Sequence, residues 1–304
     1  MLNTKEKNNI KLSIIIVNWN VKPLVHRCIG SIFKNLKNIN FEIIVIDNNS
    51  QDGSKDLLKK LNKERQRLKI ILNNKNIGFA AANNMGLKKA EGEFILFLNP
   101  DTEVRPNSVK KMIKKLESNK DIGLIGPKMI SVSGKTQSSV RKFPSVLSQA
   151  IIFLKLHHIF TKLPVLKNYF QSDFNYDKEA EVEQVMGAAM MTKKDILKRV
   201  GYWDESYFLW FEDIDLCKKI KDAGWKVIYT PEAEVFHHGG ESFDQVFSLK
   251  KQRIYNKSAI YYFKKHFYLN KYWLLLVLNP ISIFISFFIQ IFNISSKYEP
   301  PTNT

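Results

Sequence analysis

Apolar residues fall along the chain in short runs separated by segments rich in Asn, Asp, Lys and Gly. Leu12 to Val17 (LSIIIV), Phe41 to Ile46 (FEIIVI), Leu68 to Leu72 (LKIIL) and Phe94 to Leu98 (FILFL) are each five or six residues long and rich in β-branched and aromatic side chains. Such nearly continuous runs predict strands covered on both faces, as in a parallel sheet. Helical stretches are expected between them. The first runs from Lys22 to Lys37, with Pro23 in its first turn. The second runs from Lys55 to Arg67, after the turn and cap residues NNSQDGS. The third is Ala-rich, within NNKNIGFAAANNMGLKKAEG, and closes at Gly92. Strands alternating with helices at this pitch predict βαβ units in an open α/β sheet. Ligands bind such sheets beyond the carboxyl ends of the strands. Asp47 and Asn99-Pro100-Asp101 stand at two of those ends and are expected to face one crevice.

Beyond Ser131 the pattern weakens. Val182 to Met191 and Trp225 to Tyr229 are strand-like, whereas Lys193 to Val200 and Glu212 to Ala223, closed by Gly224, are helical. Ser145 to Phe170 is apolar, aromatic and basic, and fits either a core helix or an amphipathic segment resting on lipid. No internal repeat or low-complexity linker interrupts the chain.

With 304 residues, 44% of them hydrophobic and 25% charged, disordered and collagen-like classes are excluded. The formal net charge of +18 suits an anionic partner such as a membrane surface, a phosphorylated substrate or a nucleic acid, and also suits plain solubility. A nucleic-acid role finds no RNP motif, helix-turn-helix signature or basic helix, and the charge is spread along the chain. Cys28 and Cys217 form no CxxC pair and have no zinc-spaced histidine, so a disulfide framework and a structural zinc site are not expected. The apolar run near the N-terminus is too short for a signal-peptide core, which predicts a cytoplasmic catalytic part.

Three constellations carry chemistry. Asp101, a carboxylate at a strand end after a proline-fixed turn, suits a hard divalent cation shared with substrate phosphates, or the capping of a following helix. Glu212, Asp213 and Asp215 crowd the start of a helix after the aromatic run Tyr207-Phe208-Leu209-Trp210-Phe211. The helix N-terminus favours their charge, yet they cannot all reach solvent on one helix face. A carboxylate beside apolar walls gains proton affinity and can act as a general base. His237-His238-Gly239-Gly240-Glu241-Ser242 follows IYTPEAEVF. It reads as a structural turn or as a ligand site, since adjacent histidines point apart and glycines let backbone approach a phosphate.

Taken in order, SIIIVNWN (13–20), VIDNNSQDGS (45–54), NIGFAAANNMG (76–86), FLNPDTEV (97–104), GAAMM (187–191), GYWDESYFLWFEDIDLCKKIKDAG (201–224) and AEVFHHGG (233–240) resemble the family 2 glycosyltransferases of GT-A fold. The likeness is to the bacterial rhamnosyltransferase-like branch that builds surface polysaccharides, and it spans about residues 12–262. It implies a Rossmann-like mixed, mostly parallel sheet flanked by helices, with a C-terminal apolar helical segment. It also implies an inverting enzyme that moves rhamnose or another hexose from a dTDP- or UDP-sugar to a hydroxyl of a glycan acceptor on a polyprenyl diphosphate.

By the same resemblance, Val17, Asn18 and Asp47 hold the nucleotide base and ribose, and Asn49, Asn76, Gly78 and Asn83 line the donor crevice. Asp101, the last residue of the family's DxD motif, binds Mg²⁺ or Mn²⁺ under the donor diphosphate, and His237 completes the metal shell. Asp213 is the base, with Glu212 beside it. Trp210 and Phe211 shape the acceptor site. The first Asp of DxD is Asn99 here. That variant occurs in this branch, but it removes one negative charge from the metal site, and it leaves a catalytically inactive, partner-binding glycosyltransferase-like subunit as the alternative. A nucleotidylyltransferase would carry a Gly-rich basic loop where this chain reads NWNVKP.

Trp273 to Ile294 (WLLLVLNPISIFISFFIQIFNI) holds 22 residues without a charge. A helix of that length is about 33 Å long, enough for a hydrocarbon core of about 30 Å. Asn279-Pro280 interrupts the stretch, so a kinked spanning helix, a re-entrant or interfacial segment and a helix docked on the protein all fit. Lys264, Lys265 and Lys271 precede it, which places the catalytic domain on the cytoplasmic face of the cell membrane. The expected division is a catalytic domain over 1–262 and a membrane-associated or transmembrane segment over 263–304.

Overall fold

The computed structural model describes residues 10–239 and 248–292. Residues 1–9, Gly240, Glu241 and Ser242 of the histidine–glycine motif, and Asn293 and Ile294 of the apolar stretch lie outside the described residues.

The four apolar runs form β1 (Leu12–Asn18), β2 (Phe41–Asp47), β3 (Leu68–Leu72) and β4 (Phe94–Leu98). The helices between them are α1 (Lys22–Asn35), α2 (Ser54–Glu64) and α3 (Phe79–Lys89). Then follow β5 (Thr102–Val104), α4 (Ser108–Ser118), β6 (Ile122–Ile130), β7 (Val140–Arg141), α5 (Val146–Phe153) and α6 (Pro164–Phe170). Next come β8 (Ala180–Val182), β9 (Gln184–Val185), β10 (Ala189–Lys193), α7 (Lys194–Val200), α8 (Glu212–Asp222) and β11 (Lys226–His237). The last helices are α9 (Ser248–His266) and α10 (Leu269–Ile291).

One sheet has the order β3-β2-β1-β4-β10-β6-β11-β5, with β8 paired to β11, while β7 and β9 form a separate two-stranded ribbon. The pairs β3–β2, β2–β1, β1–β4 and β6–β11 are parallel. β10 sits antiparallel between β4 and β6, so β6 and β11 run in the same direction as β1–β4. Every residue of β1 and β2 is buried, because helices cover both faces of the sheet. The sheet is thus Rossmann-like, mixed and mostly parallel, as expected.

The strand expected over Trp225 to Tyr229 continues to His237. Pro231 lacks a ladder N–H, and a register shift between Thr230 and Glu234 absorbs it without ending the strand. That extension matters for the site, because β11 pairs antiparallel with β5 and sets His237 opposite Thr102.

The Ser145–Phe170 stretch is two short helices joined by a 3-10 turn at Leu156–His158. Ser145 and Ser148 form a reciprocal capping box at the start of α5. Ala150 and Phe153 of α5 join a third apolar cluster with Phe211, Tyr262, Phe263 and Leu275. This cluster fastens α8, α9 and α10 together. The expected boundary at 262/263 falls inside α9, where Tyr262 and Phe263 are both fully buried.

α9 and α10 form an antiparallel hairpin. The Leu249 N–H donates to Gln290 Oε1 at one end, and Asn256 Nδ2 donates to Asn279 Oδ1 midway. α10 also packs against α5. Pro280 lies within α10, and the helix runs through it to Ile291.

Candidate active site

A cavity of about 490 Å³ opens at the carboxyl ends of the parallel strands. Three pairings assemble it. β1 ends at Asn18, placing Val17 and Trp19 on its wall. β4 ends at Leu98, where the Asn99 N–H donates to the Ala188 carbonyl at 2.8 Å, so the approach to β10 lies beside Asn99-Pro100-Asp101. The β5–β11 pair, with the His238 N–H on the Asp101 carbonyl at 2.8 Å, sets His237 beside Asp101.

His237 Nε2 lies 3.5 Å from Asp101 Oδ2. His237 Nδ1 lies 2.8 Å from Gln137 Oε1, and the Gln137 amide donates to the His237 carbonyl. Gln137 Oε1 is therefore an acceptor and Nδ1 a donor, which leaves Nε2 turned to the Asp101 carboxylate. Asp101 Oδ1 and Asn99 Oδ1 are buried without a partner among the described residues. An imidazole nitrogen and a carboxylate converging, with orphaned oxygens beside them, fit a hard cation. Among the described residues no group of three His, Cys, Asp or Glu side chains surrounds a point, so such a cation would need oxygens from its substrate. His238 turns the other way and meets Glu103 Oε1 at 2.9 Å.

Across the cavity, α8 begins with Glu212 and Asp213 after a backbone with positive φ at Trp210 and Phe211. Asp213 Oδ2 accepts the Gly187 N–H at 3.0 Å, and Oδ1 accepts the N–H of Ile214 at 2.9 Å. A Cβ at position 187 would stand 3.1 Å from the Asp213 carboxylate, so only glycine leaves that approach open. Burial pushes the Asp213 carboxyl above the usual carboxylate range, although these two backbone donors and Arg141 draw it back down. Burial and the neighbouring Asp213 push Glu212 well above its ordinary value. Glu212 Oε2 is buried without a partner. Asp215, the third carboxylate of the cluster, is outside the site. It is fully buried and held by His266 at 2.8 Å and Lys265 at 2.9 Å.

Asp101 and Asp213, remote in sequence, thus line one cavity, together with Val17, Asn76, Gly78, Trp210, Glu212 and His237. Other expected site residues lie elsewhere. Asn18 and Asp47 are fully buried below the floor, Asn18 Nδ2 donating to Asp47 Oδ1 at 2.8 Å, while Asp47 Oδ2 accepts the Ser50 N–H. They brace the loop after β2 and do not line the cavity. Asn49 also stands off the cavity, its Oδ1 accepting from Lys55 Nζ at 2.7 Å. Asn83 is buried inside α3, its amide donating to the Phe79 carbonyl one turn back. Phe211 packs against Tyr255 and Tyr262 and lines an adjoining smaller cavity.

Several wall residues were not singled out from the sequence. Asn48 follows Asp47, and its amide donates to the Gly78 carbonyl while its Oδ1 accepts from Asn73. Gly78 itself has φ +90, and a Cβ there would meet the Phe208 carbonyl at 2.7 Å. The Phe79 N–H bonds that same carbonyl, joining the donor-side loop to the aromatic run before α8. Lys250 and Lys251 reach the cavity from α9, and Trp19 and Met186 complete its apolar wall. The motifs VNWN and GAAMM were signals for Trp19 and Gly187, but nothing local marks Lys250 or Lys251.

Residues 13–199, more than half of the chain, match the family described as Glycosyl transferase family 2. The chain is 24% identical over 242 residues to the N-acetylglucosaminyl-diphospho-decaprenol L-rhamnosyltransferase of Mycobacterium tuberculosis, covering 76% of this chain and 77% of the relative. It is 29% identical over 253 residues to rhamnosyltransferase WbbL of Escherichia coli (strain K12), covering 72% and 91%. It spans only 25% of another relative, an uncharacterized protein of Sinorhizobium fredii. Among solved structures, GalNAc-T7 with UDP, GalNAc and Mn²⁺ superposes with a TM-score of 0.58 at 18% identity, over 76% of this chain and 44% of that one. Staphylococcus aureus TarS 1-349 in complex with UDP-GlcNAc gives 0.54 at 18% identity, over 82% and 66%. Those two likenesses bear on the fold. With the family match over β1 to α7 and a cavity at the strand ends holding both carboxylates, the chain belongs to glycosyl transferase family 2, and its relatives include rhamnosyltransferases.

Proposed function

We propose that this chain is an inverting hexosyltransferase, of rhamnosyltransferase type, which takes its sugar from a dTDP- or UDP-sugar and passes it to a hydroxyl of a polyprenyl-diphosphate-linked glycan. The observation that carries the reading is the shared cavity, with Asp101 and His237 on one wall and Asp213 on the other. The names of relatives support the acceptor class: one acts as an N-acetylglucosaminyl-diphospho-decaprenol rhamnosyltransferase, another as a GalNAc(5)-diNAcBac-PP-undecaprenol glucosyltransferase.

In the reaction, the acceptor oxygen attacks the anomeric carbon of the donor. The bond from that carbon to the diphosphate oxygen breaks as the new glycosidic bond forms on the opposite face. The acceptor proton passes to Asp213, and the nucleoside diphosphate leaves with the bonding electron pair. Asp213 is suited to the role because burial raises its proton affinity while the Gly187 and Ile214 N–H groups hold its oxygens in place. Asn99, Asp101 and His237 are the residues that would hold Mg²⁺ or Mn²⁺. When bound, the ion supplies charge neutralisation for the leaving diphosphate. Lys250 and Lys251 add positive charge at the same cavity. Glu212, whose proton affinity burial and the neighbouring Asp213 raise, lies beside the base and orients the acceptor.

The apolar helix α10 supports a seat on the cytoplasmic face of the membrane. Its most apolar window has a mean hydropathy of 2.2, and only 17% of that window is buried. Tyr272, Leu275, Ser282 and Ser286 face the protein, whereas Trp273, Val277, Phe284 and Phe288 are exposed. A helix held along one side by α5 and α9 lies on the membrane with its free face in lipid. The hairpin sets the end of α10 beside Leu249, next in sequence to the cavity lysines, and that supports a site close to the bilayer surface.

The test is a thermal-shift screen of dTDP- and UDP-sugars with and without Mn²⁺, followed by measurement of donor turnover. A nucleotide sugar that raises Tm only with Mn²⁺ and is then consumed supports the reading. Donor binding without transfer or hydrolysis would leave the inactive, partner-binding subunit in its place.

A further inference from the structure

A second cavity, of about 220 Å³, lies behind the wall formed by Met186, Trp210 and Asp213, which line both spaces. Asp213 therefore faces two chambers, one with the Asp101–His237 wall and one without. The second chamber is built on the β7–β9 ribbon, where Arg141 pairs in register with Gln184. Two residues after Gln184 come Met186 and Gly187, whose N–H holds Asp213. Tyr176 fixes the other strand, its hydroxyl accepting the N–H groups of Ser139 and Val140.

Three observations give this chamber the character of an anion site. Arg141 lines it, with its guanidinium over the rings of Phe170 at 5.2 Å and Tyr169 at 6.0 Å, which sets the plane of its donors. The Ser139 hydroxyl also lines it and, among the described residues, has no partner, with Ser139 only 4% exposed. Among the described residues, no Asp or Glu other than Asp213 lines the chamber. A guanidinium fork and an unpaired hydroxyl match phosphate oxygens in geometry and charge. The chamber is also flanked by the apolar part of the molecule: α6 packs on α5, α9 carries Tyr255 into its wall, and both α5 and α9 pack on α10.

We infer that the second chamber is the acceptor subsite, in which Arg141 and Ser139 bind the diphosphate of a lipid-linked acceptor and so present its sugar hydroxyl to Asp213. The assignment rests on the transferase reading above. It divides the two diphosphates of the reaction between two walls, the donor's at Asp101 and the acceptor's at Arg141, with the base between them. Arg141 then serves recognition, and an acceptor sugar without the diphosphate forfeits its anchor.

The test is calorimetric titration of the full chain in detergent with two probes, an N-acetylglucosaminyl diphosphoryl farnesyl lipid and octyl N-acetylglucosaminide. Each variant is also titrated with UDP and with dTDP in the presence of Mn²⁺. Wild type is expected to bind the diphosphate lipid at least tenfold more tightly than the glycoside. Arg141→Gln should remove that preference, and Arg141→Lys, which keeps the charge but loses the fork, should restore part of it. Nucleotide binding should be unchanged in both variants. Arg141→Gln weakening both probes equally, or neither, overturns the assignment, as does wild type that binds nucleotide but shows no preference. Wild type that binds neither nucleotide is a failure of the transferase reading itself and is distinguished by that arm.

Discussion

Asp213 and Glu212 are adjacent carboxyls that burial pushes in the same direction, and their environments set different tasks. Asp213 accepts two backbone N–H groups that favour its charged form, whereas Glu212 Oε2 has no partner. Asp213→Asn keeps the shape and removes the base, so kcat should fall by about 10²- to 10⁴-fold. Nucleotide binding should persist, as equilibrium titration will show. A general base works only when deprotonated, and the Asp213 carboxyl titrates above its ordinary value. The kcat/KM profile of wild type should therefore fall on acidification at a pH above the usual carboxylate range. For Glu212 the linkage runs through stability. Its folded-state value is raised well above the ordinary 4.5, so folding disfavours the charged form and stability declines as pH rises through that window. Glu212→Gln should raise Tm by about 2–4 °C near pH 8, on the scale of about 1 kcal/mol, and leave it unchanged near pH 4. Melting curves at the two pH values check this.

At the scale of elements, the carboxylate cluster that begins α8 divides its work between chemistry and architecture. Asp215 is the architectural member. Its oxygens meet Lys265 and His266 of α9 and, at 3.5 Å, the hydroxyl of Tyr207 from the aromatic run. Burial pushes its carboxyl up, but the hydrogen bonds from His266 and Lys265 outweigh that and hold it below the ordinary value. A lowered carboxylate contributes stability at neutral pH that is lost as pH falls through its folded-state value. Asp215→Ala leaves Lys265 and His266 without their buried partner and should cost about 3 kcal/mol at pH 7, by denaturant unfolding. The loss should shrink as acidification carries the protein below the ordinary carboxylate value of about 3.9 and on through the lower folded-state value, where wild type loses the same interaction. Since α9 also carries Lys250 and Lys251, loosening this joint should weaken nucleotide binding as well.

For the whole molecule, the question is how a basic protein with one exposed apolar helix face would meet the lipid-linked acceptor proposed above. The exposed side of α10 includes Phe284 at 61% and Phe288 at 40% exposure, one turn apart, with their rings 4.6 Å from one another. Two charges there oppose insertion by about 2–3 kcal/mol each while touching no protein core. The double variant Phe284→Glu and Phe288→Glu should lose vesicle binding by at least tenfold, with Tm in detergent nearly unchanged. Flotation with phosphatidylglycerol vesicles checks the first effect, and thermal melts check the second. The net charge of +18 adds an electrostatic component that weakens with salt. Retention of vesicle binding by the double variant at 0.5 M salt would count against an apolar seat for α10.

Periodicity alone predicted β1 to β4 and the helices between them nearly to their ends, because each strand is covered on both faces and reads as an unbroken apolar run. The turn residues after those strands located the crevice, and the order of motifs implied the roles of Asp101, Asp213 and His237. The sequence was silent where a residue's position depends on a partner distant along the chain. No local pattern states that β10 enters antiparallel beside β4, yet that insertion brings Gly187 to Asp213 and Ala188 to Asn99. Strand pairing across more than a hundred residues set His237 against Asp101. Side-chain packing decided that Asn83, Asn49 and Asp47 make their hydrogen bonds to neighbouring loops and helices and do not line the cavity. It also left α10 apolar on its outer side, since a helix keeps the same composition whether it is covered by protein or by lipid, and only its neighbours determine which side is free.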